Sequence, residues 1–413
     1  MKDEKLVITG MGAVTPIGIG VDNYWQQLIH GVCGIQRITK FDVDNLPVQI
    51  GAEIKNYCPL DHMTKSLAKA TDPFAQFAFI AASEALSDSN LSIDSESERI
   101  GIVMGTAMDG VTSVARTQHE YSTGAIRRVG PRFVPMIIGN IAAAQIAIHY
   151  GIYGPSFTLN TACSSGGDAI MTAAMLLHSD EADSILVVGG ESIFCPIILS
   201  GLTQSQALSR RNDAPEKACR PFDMDRDGFV IGEGGGAVII ETESHALARG
   251  AKIYATLAGY ANTNDGYHIT APEPEGKGAI ACMQRALQRS GLAPSEIGYI
   301  NAHGTSTLLG DRAETQAIKE VFGDIHSAPP VSSTKGSTGH LMGAGGITEV
   351  ITCIKAILEE TLPPTLNYDT PDPLCDLDYI PNKARPAKIS AAMSNSLGFG
   401  GQNSSIIVKK YES

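Results

Sequence analysis

Ser156-Phe157-Thr158-Leu159-Asn160-Thr161-Ala162-Cys163-Ser164-Ser165-Gly166-Gly167 opens the stretch around which the rest of the chain is read. The run Ser156–Leu159 predicts a buried strand. The run from Asp168 to Leu177, rich in alanine, predicts a helix that packs closely inside a protein. Cys163 then falls in the turn between strand and helix. Unpaired N–H groups and the helix dipole favour negative charge there. That placement predicts a lowered thiol pKa and an accessible thiolate nucleophile. The stretch alone also fits a small buried hydrophobe, as free cysteines usually are. The choice rests on what other residues the fold brings to Cys163.

Working outward, Leu6–Thr9 followed by Gly10-Met11-Gly12 predicts a strand and a tight βα turn. No third glycine completes a dinucleotide fingerprint, so no cofactor is expected there. Asp22–Gly31 predicts a short helix capped by Asp22. Asp72–Asp88 predicts a longer one, with Phe74, Phe77, Ala78, Ala81, Ala82, Ala85 and Leu86 at helical spacing. Arg99–Gly105, Ser184–Gly190 and Ala237–Ile240 read as buried strands, and Phe133–Tyr150 as one apolar helical segment.

The second half echoes the first. Strand-like Ile297–Ile300 leads to Asn301-Ala302-His303-Gly304-Thr305, as Ser156–Leu159 leads to Asn160-Thr161-Ala162-Cys163. Phe399-Gly400-Gly401 precedes Ile406–Val408, as a glycine run precedes Ala237–Ile240. The pattern predicts a duplicated α/β unit with halves 1–250 and 251–413.

The 413 residues carry a net charge of −13, which argues against general nucleic-acid affinity. The eight cysteines show no CxxC pair, pointing to a reduced, cytoplasmic setting. The N-terminus lacks a signal-peptide core, and no apolar run is long enough for a transmembrane helix.

Two further loops carry chemistry. Asn301–Thr307 places His303 just after a strand among small hydroxyl residues. Val331–His340 places Lys335 and His340 in a Gly/Ser/Thr-rich turn. Loops after buried strands are where α/β sheets keep their sites. Cys163, His303 and His340 together fit a covalent acyl enzyme or a zinc site. The wide sequence spacing of the three weakens the zinc reading.

Thr161-Ala162-Cys163-Ser164-Ser165-Gly166, Asn301-Ala302-His303-Gly304-Thr305-Ser306-Thr307, Ser333-Thr334-Lys335, Thr338-Gly339-His340 and Gly398-Phe399-Gly400-Gly401 resemble the motifs of the β-ketoacyl-[acyl-carrier-protein] synthases, most closely the elongating synthase II branch. The resemblance runs from Val7 to Val408 and includes Arg220-Pro221-Phe222-Asp223 and Leu362-Pro363-Pro364-Thr365. It implies an α/β thiolase fold, duplicated in five α-β-α-β-α layers, and no cofactor. It implies acyl- and malonyl-carrier protein as partners and a homodimer. A heterodimer with a length-setting subunit is the variant.

By the same resemblance Cys163 is the nucleophile, His303 and His340 serve decarboxylation, and Lys335 organises the site within a network of Asp311, Glu314 and Glu349. Phe399 is the gate, and its N–H joins that of Cys163 as an oxyanion donor. Thr305 and Thr307 contact the pantetheine arm, and Met108, Phe133, Ile193 and Leu202 surround the acyl chain. Some relatives hold a monovalent cation at the positions of Asn301, Ala302, Glu349, Asn395 and Ser396. The implied reaction is fatty-acid chain elongation, with a type II polyketide or polyene ketosynthase as the alternative.

Three departures stand out. Thr-Asn or His-Asn after Phe-Gly-Gly is here Gln402-Asn403. Lys-Ser-Met-Thr-Gly-His is here Lys335-Gly336-Ser337-Thr338-Gly339-His340. The basic cluster for the carrier protein is thinned around Lys65 and Lys69, with Gln206 where Arg is common.

Overall fold

The computed structural model describes residues 4–412. Ten strands form the long path of one sheet. The first half contributes β1 (Leu6–Thr15), β2 (Ile100–Gly105), β3 (Ser156–Leu159), β4 (Ser184–Glu191) and β5 (Gly234–Thr242). The second contributes β6 (Ala255–Asn264), β7 (Tyr299–Asn301), β8 (Val331–Ser332), β9 (Ala391–Gly398) and β10 (Gln402–Lys409). The spatial order is β8-β7-β9-β10-β6-β1-β5-β4-β2-β3, with the short strand Gly18–Ile19 pairing β1 beside the path.

β1 and β6 meet antiparallel at the seam, Leu6 opposite Leu257 and Ile8 opposite Ala255. Outward from that seam each half repeats one order: its first, fifth, fourth, second and third strand. The outer three strands of each half are parallel and the inner ones antiparallel. The internal echo in the sequence is therefore a repeat of topology.

Five helices complete the layers: α1 (Pro73–Ser89), α2 (Ser165–His178), α3 (Lys277–Ser290), α4 (Leu308–Phe322) and α5 (Gly345–Leu358). α2 and α5 touch each other and lie between the two half-sheets. Their buried Ala169, Ala173, Ile347 and Ile351 share a core with Ile8, Val238 and Ile406. α1 covers the outer face of the first half through Phe74, Phe77 and Ala81. α3 and α4 cover the second through Met283, Ala286 and Ile318. The result is the expected five-layered α-β-α-β-α architecture. No described helix is long and apolar enough to cross a membrane.

Several local expectations change. Gly10-Met11-Gly12 does not turn but lies inside β1. A Cβ on Gly10 would sit 2.3 Å from the Ala85 carbonyl oxygen, and one on Gly12 2.0 Å from that of Ala81. These glycines let α1 lie directly on the strand. α1 itself starts as expected, with Asp72 Oδ1 accepting the Phe74 N–H at 3.1 Å. The helix expected over Asp22–Gly31 runs Val21–Ile29, with Gly20 rather than Asp22 at its cap. Phe133–Tyr150 is two helices, Phe133–Ile137 and Ile141–Tyr150, broken around Gly139. β3 is not buried. It is the sheet edge, and Phe157 is 49% exposed.

The repeat also pairs differently from the sequence echo. β3 corresponds to β8, not to β7. The turn Ala162–Ser164 leads into α2 as the turn Met342–Ala344 leads into α5, and both open on a left-handed residue, Ala162 (φ 50°) and Met342 (φ 46°). The turn after His340 is thus the structural twin of the Cys163 turn.

Candidate active site

Cys163 sits in its short turn directly before α2, as the sequence predicts. Left-handed backbone at Ala162 is costly for a residue with a Cβ. Side chains hold it in place. Ser164 Oγ donates to the carbonyls of Gln402 (2.6 Å) and Ser396 (3.1 Å), and Ser165 Oγ to that of Ala162 (2.7 Å). The Cys163 turn is thereby tied to β9 and β10 of the other half. Cys163 is buried, and the Phe399 N–H donates to its sulfur. Burial pushes the thiol up to about 11, against the pull of the Lys335 charge and that N–H. This reverses the expectation of a lowered thiol pKa. The thiol lies one turn inside a packed core, and desolvation there disfavours the anion.

Both histidines reach it. His340 Nε2 lies 3.0 Å from Cys163 Sγ. The His303 and His340 rings are 5.2 Å apart, edge to face. The ligating atoms of Cys163, His303 and His340 all fall within 4.8 Å of one another. Burial drives both imidazoles well below their ordinary pKa, and the Lys335 charge adds to it. Both are therefore neutral at pH 7. The Met342 N–H donates to His340 Nδ1 at 3.3 Å, which leaves the His340 proton on Nε2. The atom facing the sulfur is then a donor. A zinc ligand would need a lone pair there, so this tautomer favours acyl chemistry over metal. His303 Nδ1 is buried without a hydrogen-bond partner.

Lys335 pairs with Glu349 inside the protein. Burial raises the Glu349 carboxyl, and Lys335 opposes it. Glu314 of α4 accepts the His303 and Gly304 N–H groups at 2.8 and 2.7 Å, fixing the loop after β7. Asp311 does the same for Phe222 (2.7 Å) and Ser306 (3.1 Å), beside Arg226. Burial pushes Asp311 up to about 6 and Glu314 to about 7. Both carboxyls hold backbone.

Met108, Ile193 and Leu202 pack in the apolar wall that contains Cys163, Phe194, Leu199 and Met342. Phe133 is not brought there. It begins its own helix beside Arg116, Arg128, Arg132 and Met136 in a surface groove. Phe399 stands at the tip between β9 and β10, 40% exposed and followed by two glycines with positive φ. Thr305 and Thr307 place their hydroxyls 3.1 Å apart.

At the proposed cation position, Asn301 Oδ1 is a buried oxygen without a partner, which fits a hard cation. Asn301 pairs in register with Ser394, one residue before Asn395 and two before Ser396. The buried Glu191 went unnoticed in the sequence. Its only signal there is an acid closing an apolar strand.

Residues 3–246 match the family described as Beta-ketoacyl synthase, N-terminal domain, and residues 254–369 the one described as Beta-ketoacyl synthase, C-terminal domain. The chain belongs to the β-ketoacyl synthases. This ketosynthase is 41% identical to the 3-oxoacyl-[acyl-carrier-protein] synthase 2 of Coxiella burnetii, over 99% of each chain. It is 43% identical to the same enzyme of Staphylococcus aureus strain N315, over 100% of this chain and 99% of that one. Among solved structures it resembles the ishigamide ketosynthase/chain length factor (TM-score 0.92, 30% identity, 99% of this chain and 100% of that one). It also resembles a type II polyketide acyl-carrier protein in complex with its ketosynthase bound to the hexaketide (TM-score 0.90, 31% identity, 100% of each).

Two of the departures, Gln402 and Gly336, have visible local reasons. Gln402 meets the Cys163 turn through its carbonyl, which any residue supplies. Gly336 packs on Leu366, whose Cβ would lie 2.9 Å from a Cβ at that position.

Proposed function

We propose that this ketosynthase performs the decarboxylative Claisen condensation of fatty-acid chain elongation. The supporting observation is a buried cysteine beside two neutral imidazoles, one of which presents an N–H to the sulfur. Full-length identity of 41–43% to enzymes named 3-oxoacyl-[acyl-carrier-protein] synthase 2 favours this reading over a polyketide pathway, where the solved relatives are 30–31% identical.

In the first step Cys163 Sγ attacks the thioester carbonyl of acyl-carrier protein. The new S–C bond forms, the pantetheine S–C bond breaks, and the thiol proton leaves with the carrier thiol. The N–H groups of Cys163 and Phe399 hold the oxyanion. In the second step the malonyl C–C bond breaks and CO2 leaves. The electron pair becomes an enolate whose oxygen takes hydrogen bonds from His303 and His340. Its carbon attacks acyl-Cys163, and the thiolate departs and regains a proton. No redox step occurs. Burial, with the Lys335 charge adding to it, keeps both imidazoles neutral. Thr305 and Thr307 line the pantetheine approach, and Phe399 gates it. Incubating the protein with a panel of acyl-carrier proteins and weighing the intact product tests this reading. No acyl adduct with any primer would overturn it.

We read 1–250 and 251–413 as the two halves of the repeat, and the cytoplasm as the compartment in which eight free cysteines persist. A homodimer is supported by the unpaired edge β3 with exposed Phe157, Tyr153, Ile148 and Met175 nearby.

Lys65, Lys69, Arg127, Arg128 and Arg210 are exposed, and Arg211 is half-buried, donating to the Asp225 carbonyl. They form our candidate docking surface for an acidic carrier protein. Exposed charges are screened over about 8–10 Å, so association should weaken as salt rises. Charge reversal at Lys65 and Arg210 should raise the apparent KM for the carrier protein and flatten its salt dependence. An unchanged salt slope would place the patch elsewhere.

Met108 is our candidate for setting chain length. Met108→Phe should leave short primers reacting at Cys163 and block long ones, each excluded methylene mattering by about 1 kcal/mol. Equal slowing of all primers with a lower Tm would make Met108 plain core.

A further inference from the structure

Glu191 closes β4, fully buried beneath the site. Its carboxyl group holds three backbone N–H groups from two separate turns. Oε2 accepts from Ala107 at 2.6 Å and from Gly343 at 3.2 Å, and Oε1 accepts from Met108 at 3.3 Å. Burial pushes this carboxyl up to about 8, and the three N–H donors oppose the shift. Ala107 and Met108 follow β2 and belong to the apolar wall around Cys163. Gly343 lies in the turn after His340, next to Met342, whose N–H fixes the His340 tautomer.

The two turns also touch. A Cβ on Gly343 would stand 2.7 Å from the Ala107 nitrogen and from the Thr106 Cα. No slack remains there, so a shift of the Met108 main chain must be passed to Gly343 or break a hydrogen bond.

We infer that Glu191 is a positioning residue that couples the acyl-pocket wall at Met108 to the turn that sets His340, so that the length of the chain on Cys163 is felt at decarboxylation. The inference rests on the reading of Met108 as pocket wall. Glu191 touches neither substrate nor sulfur in this role. It acts through the two backbone segments it holds.

The test measures two rates on the full chain across short and long primers: Cys163 acylation by intact mass, and CO2 release from malonyl-carrier protein after acylation. Glu191→Gln keeps the size but turns an NH2 group toward a backbone N–H. It should change the long-to-short ratio of CO2 release at least fivefold, and Glu191→Asp, which keeps both acceptor oxygens, should recover part of that change. Met108→Ala combined with Glu191→Gln should give less than the product of the two single effects. Independent, multiplying effects would overturn the coupling. So would a uniform loss at all lengths with a lower Tm.

A second measurement needs no substitution at Glu191. Amide hydrogen exchange at Met108 and Gly343 should rise together when a long chain replaces a short one on Cys163. Unchanged exchange at Gly343 with altered exchange at Met108 would overturn the coupling alone. If Met108→Phe leaves the primer-length profile of acylation unaltered, the pocket reading falls and the inference with it.

Discussion

Cys163→Ala should abolish covalent acylation with every primer, leaving Tm within about 3 °C of the native protein. The change removes one buried sulfur, worth about 1 kcal/mol of packing, and leaves the turn intact. Ser164 and Ser165 hold that turn through their own hydroxyls, so the backbone does not depend on the thiol. Intact-mass measurement after incubation with acyl-carrier protein is the check. A persistent adduct on the Ala variant would move the nucleophile elsewhere.

The native protein adds a pH signature. A thiol pushed up to about 11 is ionised in only about one molecule in 10⁴ at pH 7. The anion is the reactive form, and the facing His340 nitrogen, being a donor, does not accept its proton. Acylation should then rise about tenfold per pH unit between pH 7 and 9. A rate already flat at pH 7 would mean that the N-terminus of α2 outweighs burial.

That competition marks where the sequence ceased to be informative. The strand-turn-helix frame of Cys163 was readable because alanine spacing and small residues encode it locally. So were the loops of His303, Lys335 and His340, whose motifs are contiguous. The degree of burial was not, because it depends on β9, β10 and the Met342 turn closing over the sulfur from the other half. Gly10 and Gly12 misled for a related reason. Glycine in a strand looks like a turn, and its cause here is the backbone of α1, some seventy residues away. The twin of the Cys163 turn was misplaced because Asn301-Ala302-His303 imitates Asn160-Thr161-Ala162-Cys163 in letters. The true counterpart follows a strand of only two residues, Val331–Ser332, too short for periodicity to show. Glu191 had no motif at all. Its partners are main-chain groups, which leave no mark in a sequence.

His340→Ala should separate the two half-reactions. Acylation of Cys163 needs the sulfur and the Phe399 N–H, neither of which His340 supplies. Decarboxylation needs donors at the enolate oxygen, and in the proposed mechanism His340 Nε2–H is one of them. Its removal should slow CO2 release from malonyl-carrier protein by about 10²–10³, with primer loading still complete. Normalising CO2 release to the fraction of acylated enzyme removes any share of misfolded protein from the comparison. The pH dependence of the native step follows from the direction of the shifts. Burial and Lys335 hold both imidazoles well below their ordinary range, so they stay neutral as pH falls from 8 to 6. Decarboxylation by fully acylated enzyme should therefore show no acid limb in that window. A histidine acting as a proton-shuttling base with an ordinary pKa would produce a fall centred near pH 6.5. Such a fall in the native enzyme, or unchanged CO2 release in His340→Ala, would remove His340 from the enolate and leave His303 to carry it.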